Sequence, residues 1–221
     1  NTDLLNKINS IDELIIASKF NNIPVKKGET VAATRILPLR IEKKQLEELE
    51  EIMKDNVLME IKRINQDLRI GIITTGNEIF YGRIKDKARE ALGEKLGKYG
   101  VTNIVQVFMP DKKEKITAKI KELTDDTDII LCTGGMSIDP DDVTPDAIKE
   151  SGCEMVTYGT PVLPGAMFLL GYVKEKVIMG LPGGVVFSKN SVFDLLLPRI
   201  LAGDIITKKD IIEMGHGGLL S

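Results

Sequence analysis

With 221 residues, 43% of them hydrophobic and 29% charged, the chain can bury a core of ordinary size, so no metal or disulfide staple is needed for folding. The 30 basic and 33 acidic residues leave a net charge of −3, which argues against nucleic acid or an anionic membrane surface as partner. The two cysteines, Cys132 and Cys153, form no ligand cluster, no apolar run could span a bilayer and no signal-peptide pattern is present, so the cytoplasm is the expected location.

Ser10 followed by Glu13 reads as a capping box that opens a short helix through Phe20. Pro24 ends it, Lys27-Gly28 makes a turn, and Thr30 to Leu39 is β-rich, with Pro38 closing the run. Leu46, Leu49, Ile52 and Met53 recur at helical spacing and predict one long helix from Glu42 to Ile64. Nothing in residues 1–66 looks chemical; this is an accessory segment or the remnant of a preceding domain. The rhythm changes at Arg69. Arg69 to Thr75 and Asp128 to Thr133 are unbroken apolar runs of the kind buried in a parallel sheet. Between them come a helix from about Asp86 to Tyr99, a strand from Val101 to Met109, and a helix from Lys112 to Leu123 with Asp111 as N-cap. A helix starts near Pro145, and strands follow at Met155–Tyr158, Met167–Val173 and Lys176–Gly180. A helix from about Phe187 to Leu201 completes a domain over residues 67–206, and residues 207–221 read as a C-terminal tail holding the single histidine, His216. From Asn1 to the closing Gly217-Gly218-Leu219-Leu220-Ser221, the chain reads as a piece of something longer. Strands alternating with helices imply right-handed crossovers and a mostly parallel sheet in an α/β fold.

In such sheets ligands sit beyond the carboxyl ends of the strands. Three unusual loops belong there: Thr74-Thr75-Gly76-Asn77-Glu78, Thr133-Gly134-Gly135-Met136-Ser137-Ile138-Asp139-Pro140-Asp141-Asp142, and Leu181-Pro182-Gly183-Gly184. Glycines admit a ligand close to the backbone, and exposed N–H groups with nearby hydroxyls bind phosphate. One glycine turn is commonplace; three on one edge favour a phosphate-bearing ligand over plain architecture. Asp139, Asp141 and Asp142, with Asp146 beyond, carry the opposite sign. Carboxylates beside a phosphate repel it unless Mg²⁺ bridges the two, which makes Asp142, Asp139 and Asp141 candidate metal ligands; helix capping by Asp142 or Thr144 is the plainer role. There is no G-x-x-x-x-G-K-[ST] string, no G-x-G-x-x-G after a strand, and no histidine near Ser137 or Ser188 for a hydrolase triad.

Taken together these loops resemble the molybdopterin-binding domains of molybdenum-cofactor biosynthesis. Thr75-Gly76-Asn77-Glu78-Ile79 is similar to the T-G-D-E-L string of the molybdenum insertase, and Gly134-Gly135-Met136-Ser137-Ile138 followed by Asp142 is similar to its G-G-V-S-V-G-x-x-D motif. Asp142-Val143-Thr144-Pro145-Asp146-Ala147 resembles the D-V-T-P-E-A stretch of the molybdopterin adenylyltransferase. Leu181-Pro182-Gly183-Gly184, with Ser188 after it, resembles L-P-G-N-P-x-S, and Pro164-Gly165-Ala166-Met167 falls where the insertase carries P-G-K-P. The nucleotide pyrophosphatase domain of competence-damage-inducible proteins is similar around Gly134, Gly135, Asp141 and Asp142.

The resemblance implies a three-layer sandwich, preceded here by a small helical and strand element. It implies Asp142 as the catalytic or metal-linked carboxylate, with Glu78 and Asp86 as secondary catalytic candidates. Thr75, Gly76, Thr133, Gly134, Gly135, Ser137, Pro164, Gly165, Pro182, Gly183, Gly184 and Ser188 would cradle the ligand. It further implies Mg²⁺, molybdopterin as ligand or substrate, ATP or molybdate as co-substrate, and a homo-oligomer, dimer or trimer. The expected function is Mg²⁺-dependent adenylylation of molybdopterin or molybdate insertion into it, by an adenylyltransferase or a molybdenumtransferase. A non-catalytic molybdopterin sensor or carrier and a nucleotide pyrophosphatase are the alternatives. Ala166 stands in place of the insertase lysine, which removes a cation able to hold molybdate and leaves phosphate binding less affected.

Overall fold

The computed structural model describes residues 1–37, 40–137, 139 and 142–220. The chain divides into two compact units, Asn1–Arg63 and Ile64–Ser221. No described helix is long and apolar enough to cross a membrane.

The first unit contains α1 (Thr2–Asn9), β1 (Leu14–Ser18), β2 (Ala32–Ile36) and α2 (Lys43–Met53) around a small core of Leu4, Ile8, Ile11, Leu14 and Ile52. The helix expected from Ser10 to Phe20 does not form. Ser10 instead closes α1, its hydroxyl donating to the Lys7 carbonyl at 2.6 Å, and Leu14–Ser18 pairs antiparallel with β2. The β-branched Ile15 and Ile16 suit a strand, and the Asn9 side chain bonds the Ile16 N–H at 2.8 Å and its carbonyl at 2.9 Å. The helix expected from Glu42 to Ile64 stops at Met53, where the Asn56 N–H meets the Met53 carbonyl at 3.1 Å and its side-chain amide meets that of Ile52 at 2.9 Å. Those bonds satisfy carbonyls that a continuing helix would have paired. The β-rich stretch narrows to β2; Pro38 and Leu39 lie outside the described residues.

In the second unit, chain order runs β3 (Ile70–Thr75), α3 (Asn77–Phe80), α4 (Ala88–Gly97), β4 (Ile104–Met109), α5 (Lys113–Asp126), β5 (Ile129–Thr133) and α6 (Thr144–Glu150). Then follow β6 (Glu154–Tyr158), β7 (Leu169–Val173), β8 (Lys176–Leu181), α7 (Gly183–Phe187), α8 (Val192–Leu201) and α9 (Lys208–Glu213). The six strands are ordered β4-β3-β5-β8-β7-β6, and β7 alone runs against the rest. Both faces are covered. Ile70, Ile72, Leu131 and Leu170 pack with residues of α4, α7, α8 and α9, while Ile73, Ile130, Cys132 and Ile178 pack under α5 and α6. This explains the unbroken apolar runs: alternate residues point to opposite faces and both faces are core, each such side chain contributing about 1.5–3 kcal/mol. Burial, then the neighbouring Cys153, pushes the Cys132 thiol far above its ordinary range, and burial followed by Glu154 holds Cys153 at about 11, so neither is a ready nucleophile.

Two expectations for this unit are corrected. The helix expected from about Phe187 to Leu201 starts at Val192, after Ser191, whose buried hydroxyl donates to Asp194 at 2.7 Å, and Phe187 instead ends the separate short helix α7. Asp111 does not cap α5, whose N-cap is Lys112. Beyond the sheet, residues 207–220 pack on the unit: α9 buries Ile211, and Leu163 bonds the Gly218 carbonyl and the Leu220 N–H, both at 2.8 Å. His216 lies exposed beyond α9.

Asp210 anchors α9 through Thr207 and through Arg199 at 2.8 Å. Burial alone would raise its carboxyl, but hydrogen bonds from Thr207 and Arg199 outweigh burial and hold it at about 2, below the ordinary 3.8. A depressed carboxyl stabilises the fold in full above its ordinary value and loses that contribution as pH falls through the folded value. Asp210→Asn should therefore lower Tm at neutral pH, with the gap to the native chain shrinking from about pH 4 to about pH 2. A pH-independent gap in thermal melts would refute the charge contribution.

Candidate functional site

Parallel strands end on a common edge, and here their register aligns the glycine turns. Thr74, Thr133 and Leu181 are paired neighbours across β3, β5 and β8, so the turns at Gly76, Gly134-Gly135 and Pro182-Gly183-Gly184 leave the sheet side by side. β6 runs in the same direction, which brings the β6–β7 loop with Pro164 and Gly165 to that edge as well.

The first two turns are in direct contact. Gly134 has φ +86°, and a Cβ there would lie 2.2 Å from the Thr75 carbonyl oxygen, so only glycine fits. At Gly135 a Cβ would lie 2.9 Å from Thr144 Oγ1 and 3.6 Å from Asp142 Oδ1. The turns and the start of α6 thus meet around one point. Beneath them runs a buried hydroxyl network. Thr75 Oγ1 lies 3.1 Å from Thr144 Oγ1 and donates to the Thr133 carbonyl at 3.3 Å, and Thr133 Oγ1 donates to Thr74 Oγ1 at 3.3 Å. Thr75 and Thr133 are only 2% and 4% exposed. They brace the rim from below, and an incoming ligand would meet the glycine backbone first.

The carboxylates separate into distinct roles. Asp142 Oδ2 accepts from the Ser137 N–H at 2.7 Å, and the Asp142 N–H donates to the Asp139 carbonyl at 3.0 Å, so Asp142 closes the second turn on itself instead of capping α6, whose N-cap is Val143. Among the described residues, Ser137 is the one donor to that carboxylate. Ser137 and Asp139 are exposed, and Asp141 lies outside the described residues. Glu78 is exposed on α3. Asp86 accepts from the N–H groups of Ala88 and Arg89, at 3.0 and 3.3 Å, and from Gln106 Nε2 at 2.6 Å, so it holds the start of α4.

The third turn is open. Gly183 and Gly184 are exposed and a Cβ on either would meet nothing within 4 Å, which leaves a clear ledge beside the second turn. Ser188, half-buried past α7, accepts on its carbonyl from Lys95 Nζ at 2.8 Å. Pro164 follows a cis peptide bond, and Gly165 is buried against Val192, with a carbonyl that accepts from Thr160 Oγ1 at 2.9 Å. Both are set into the wall of the domain.

Sequence reading missed Asp111 and Tyr158. Asp111 Oδ2 accepts from the Asn77 N–H at 2.8 Å and clamps the first turn. Its position just past a parallel strand was the signal that could have found it. Tyr158 ends β6 and points its hydroxyl at the Ser137 carbonyl, 3.5 Å away; burial first, then the charges of Asp142 and Asp146, raise its phenol pKa. Nothing local marks Tyr158. The assembled edge offers glycine amides and one anchored carboxylate, a set suited to a phosphate whose charge is shared with a cation.

Residues 71–202 match the family described as probable molybdopterin binding domain. A protein of Methanocaldococcus jannaschii named for molybdopterin biosynthesis is 31% identical, the match covering 63% of this chain and 38% of that protein. A CinA-like protein of Prochlorococcus marinus is 30% identical over 37% of this chain and 19% of its own length. The chain therefore spans well under half the length of these relatives. Among solved structures, the molybdopterin biosynthesis enzyme MoaB of Thermus thermophilus superposes with a TM-score of 0.48 at 23% identity, over 62% of this chain and 98% of that one. With more than half of its residues matched by the family model, the chain belongs to the molybdopterin-binding domain family.

Proposed function

We propose that the edge formed by the glycine turns binds molybdopterin through its phosphate, and that the chain performs Mg²⁺-dependent transfer on it, adenylylation or molybdate insertion. The observation that carries this reading is the convergence of Gly134-Gly135 on Thr75, with Asp142 held over the same turn and the open ledge of Gly183-Gly184 beside it. The name of the Methanocaldococcus jannaschii relative supports the ligand class.

Asp142 is the residue that would hold Mg²⁺ at this edge. Asp142 uses Oδ2 for Ser137, which leaves Oδ1 towards the turn. Among the described residues no three His, Cys, Asp or Glu side chains converge on one point, so phosphate oxygens and water would have to supply the remaining ligands. Bound there, Mg²⁺ would offset phosphate charge and polarise a phosphoryl oxygen. The protein's share is positional. The Ser137 amide keeps the Asp142 carboxylate in place, the threonine network keeps the two turns in contact, and Tyr158 covers the second turn from the β6 side.

One observation favours a second reading, a molybdopterin carrier without turnover. Ala166 offers no cation where the insertase has lysine, and its carbonyl is occupied by the Thr160 N–H at 3.1 Å. Anaerobic calorimetric titration with molybdopterin, repeated with ATP–Mg²⁺ and with molybdate, separates the cases. Binding with ATP consumption indicates adenylylation, binding with molybdate uptake indicates insertion, and binding alone indicates a carrier. No heat with molybdopterin, together with mononucleotide release from a dinucleotide, would replace the reading by a pyrophosphatase.

A further inference from the structure

A largely buried ion pair outside the glycine turns reaches the segment that follows one of them. Lys95 in α4 is 6% exposed, and its Nζ lies 2.7 and 2.6 Å from the two oxygens of Asp194, in the first turn of α8, and 2.8 Å from the Ser188 carbonyl oxygen. Asp194 Oδ2 also accepts from Ser191 Oγ at 2.7 Å, and Ser191 is fully buried. An ammonium has three donors, and carboxylate and carbonyl between them take them up. Withdrawing Lys95, and most of Asp194, whose side chain stays 19% exposed, from water is costly, and an apolar pair of similar volume often serves stability as well or better. Packing is therefore a weak reason for the pair. Its geometric consequence is specific: it ties α4, the 188–191 break and α8 together, and that break ends the five-residue helix that starts at Gly183.

We propose that Lys95 is a positioning residue for the third glycine turn, holding Ser188 and so setting where the amides of Gly183 and Gly184 point. The inference rests on the reading of that turn as part of the phosphate-binding edge. Lys95 acts through the loop and does not touch the ligand.

The test is the double variant Lys95→Met with Asp194→Leu, alongside Lys95→Arg. The double variant replaces the pair with apolar side chains and should melt within a few degrees of the native chain. Its amides over residues 183–188 should exchange hydrogen at least about tenfold faster, and its affinity for molybdopterin should fall about tenfold. Lys95→Arg keeps the cation but changes its reach, and should fall between the two. Native exchange at 183–188 and native affinity in the double variant would overturn the proposal. Should the double variant not fold, Lys95→Arg carries the same comparison, native values again counting against it. If the native chain itself binds no molybdopterin, it is the proposed function that fails, and the exchange comparison alone decides the role of Lys95.

Discussion

Asp142→Asn is expected to fold normally and to lose roughly a hundredfold in Mg²⁺-dependent handling of molybdopterin, by the usual scale for removing one charge from a preorganised site. The substitution is chosen because it separates two roles. Asparagine keeps a carbonyl oxygen able to accept from the Ser137 N–H, the bond that Asp142 Oδ2 makes at 2.7 Å, so the turn should keep its shape. Only the charge is removed. If Asp142 serves only to close the loop, the variant should bind molybdopterin with native Mg²⁺ dependence, and the proposed mechanism is then wrong. A ligand-free readout accompanies this. Burial is the largest cause of the raised pKa of Tyr158, with Asp142 the next, so ultraviolet titration of the variant should show one tyrosine ionising at lower pH than in the native chain.

Gly134→Ala should give the largest loss of stability of any single methyl added along this edge. At φ +86° an alanine is already strained, and its Cβ would stand 2.2 Å from the Thr75 carbonyl oxygen and 2.8 Å from Thr75 Oγ1. Backbone strain and overpacking each cost about 1–3 kcal/mol, so a loss of roughly 2–6 kcal/mol is expected. The ends of β3 and β5 cannot separate to relieve the overlap without breaking the threonine network beneath them. Gly183→Ala is the matched control, since its added methyl meets no atom within 4 Å. It should melt with the native chain and, if the ledge is where phosphate sits, weaken molybdopterin binding. Thermal melts of the two variants check the first expectation; equal Tm values would show that the two turns are not in contact in solution.

Much of the second unit could be read along the chain because its determinants are local. Apolar runs such as Arg69–Thr75 and Asp128–Thr133 are short, lack polar alternation and are bounded by turn residues, which is the pattern of a strand covered on both faces. The first unit was less legible. Around Ser10 and Leu14 the same residues satisfy a helix-start pattern and a strand, and pairing with β2, a contact between segments far apart in the chain, decided for the strand. At Asn56 a side chain competing for backbone carbonyls ended a helix whose apolar spacing alone would have carried it further.

What the sequence determined by itself, then, is the alternation of apolar strands with helices, the glycine turns that follow three of the strands, and a carboxylate, Asp142, a few positions past the second of those turns. Each of these depends on residue type and on spacing over a few positions, where backbone geometry and side-chain period act directly. The tertiary structure alone decided which neighbours those turns would have. Strand order set Tyr158 over the Ser137–Asp142 turn, brought Asp111 to Asn77, and joined Lys95 to Asp194 across 99 positions. The physical reason is that a tyrosine, an aspartate or a lysine has no distinctive local signature; its role comes from the partner that long-range packing places within hydrogen-bonding reach.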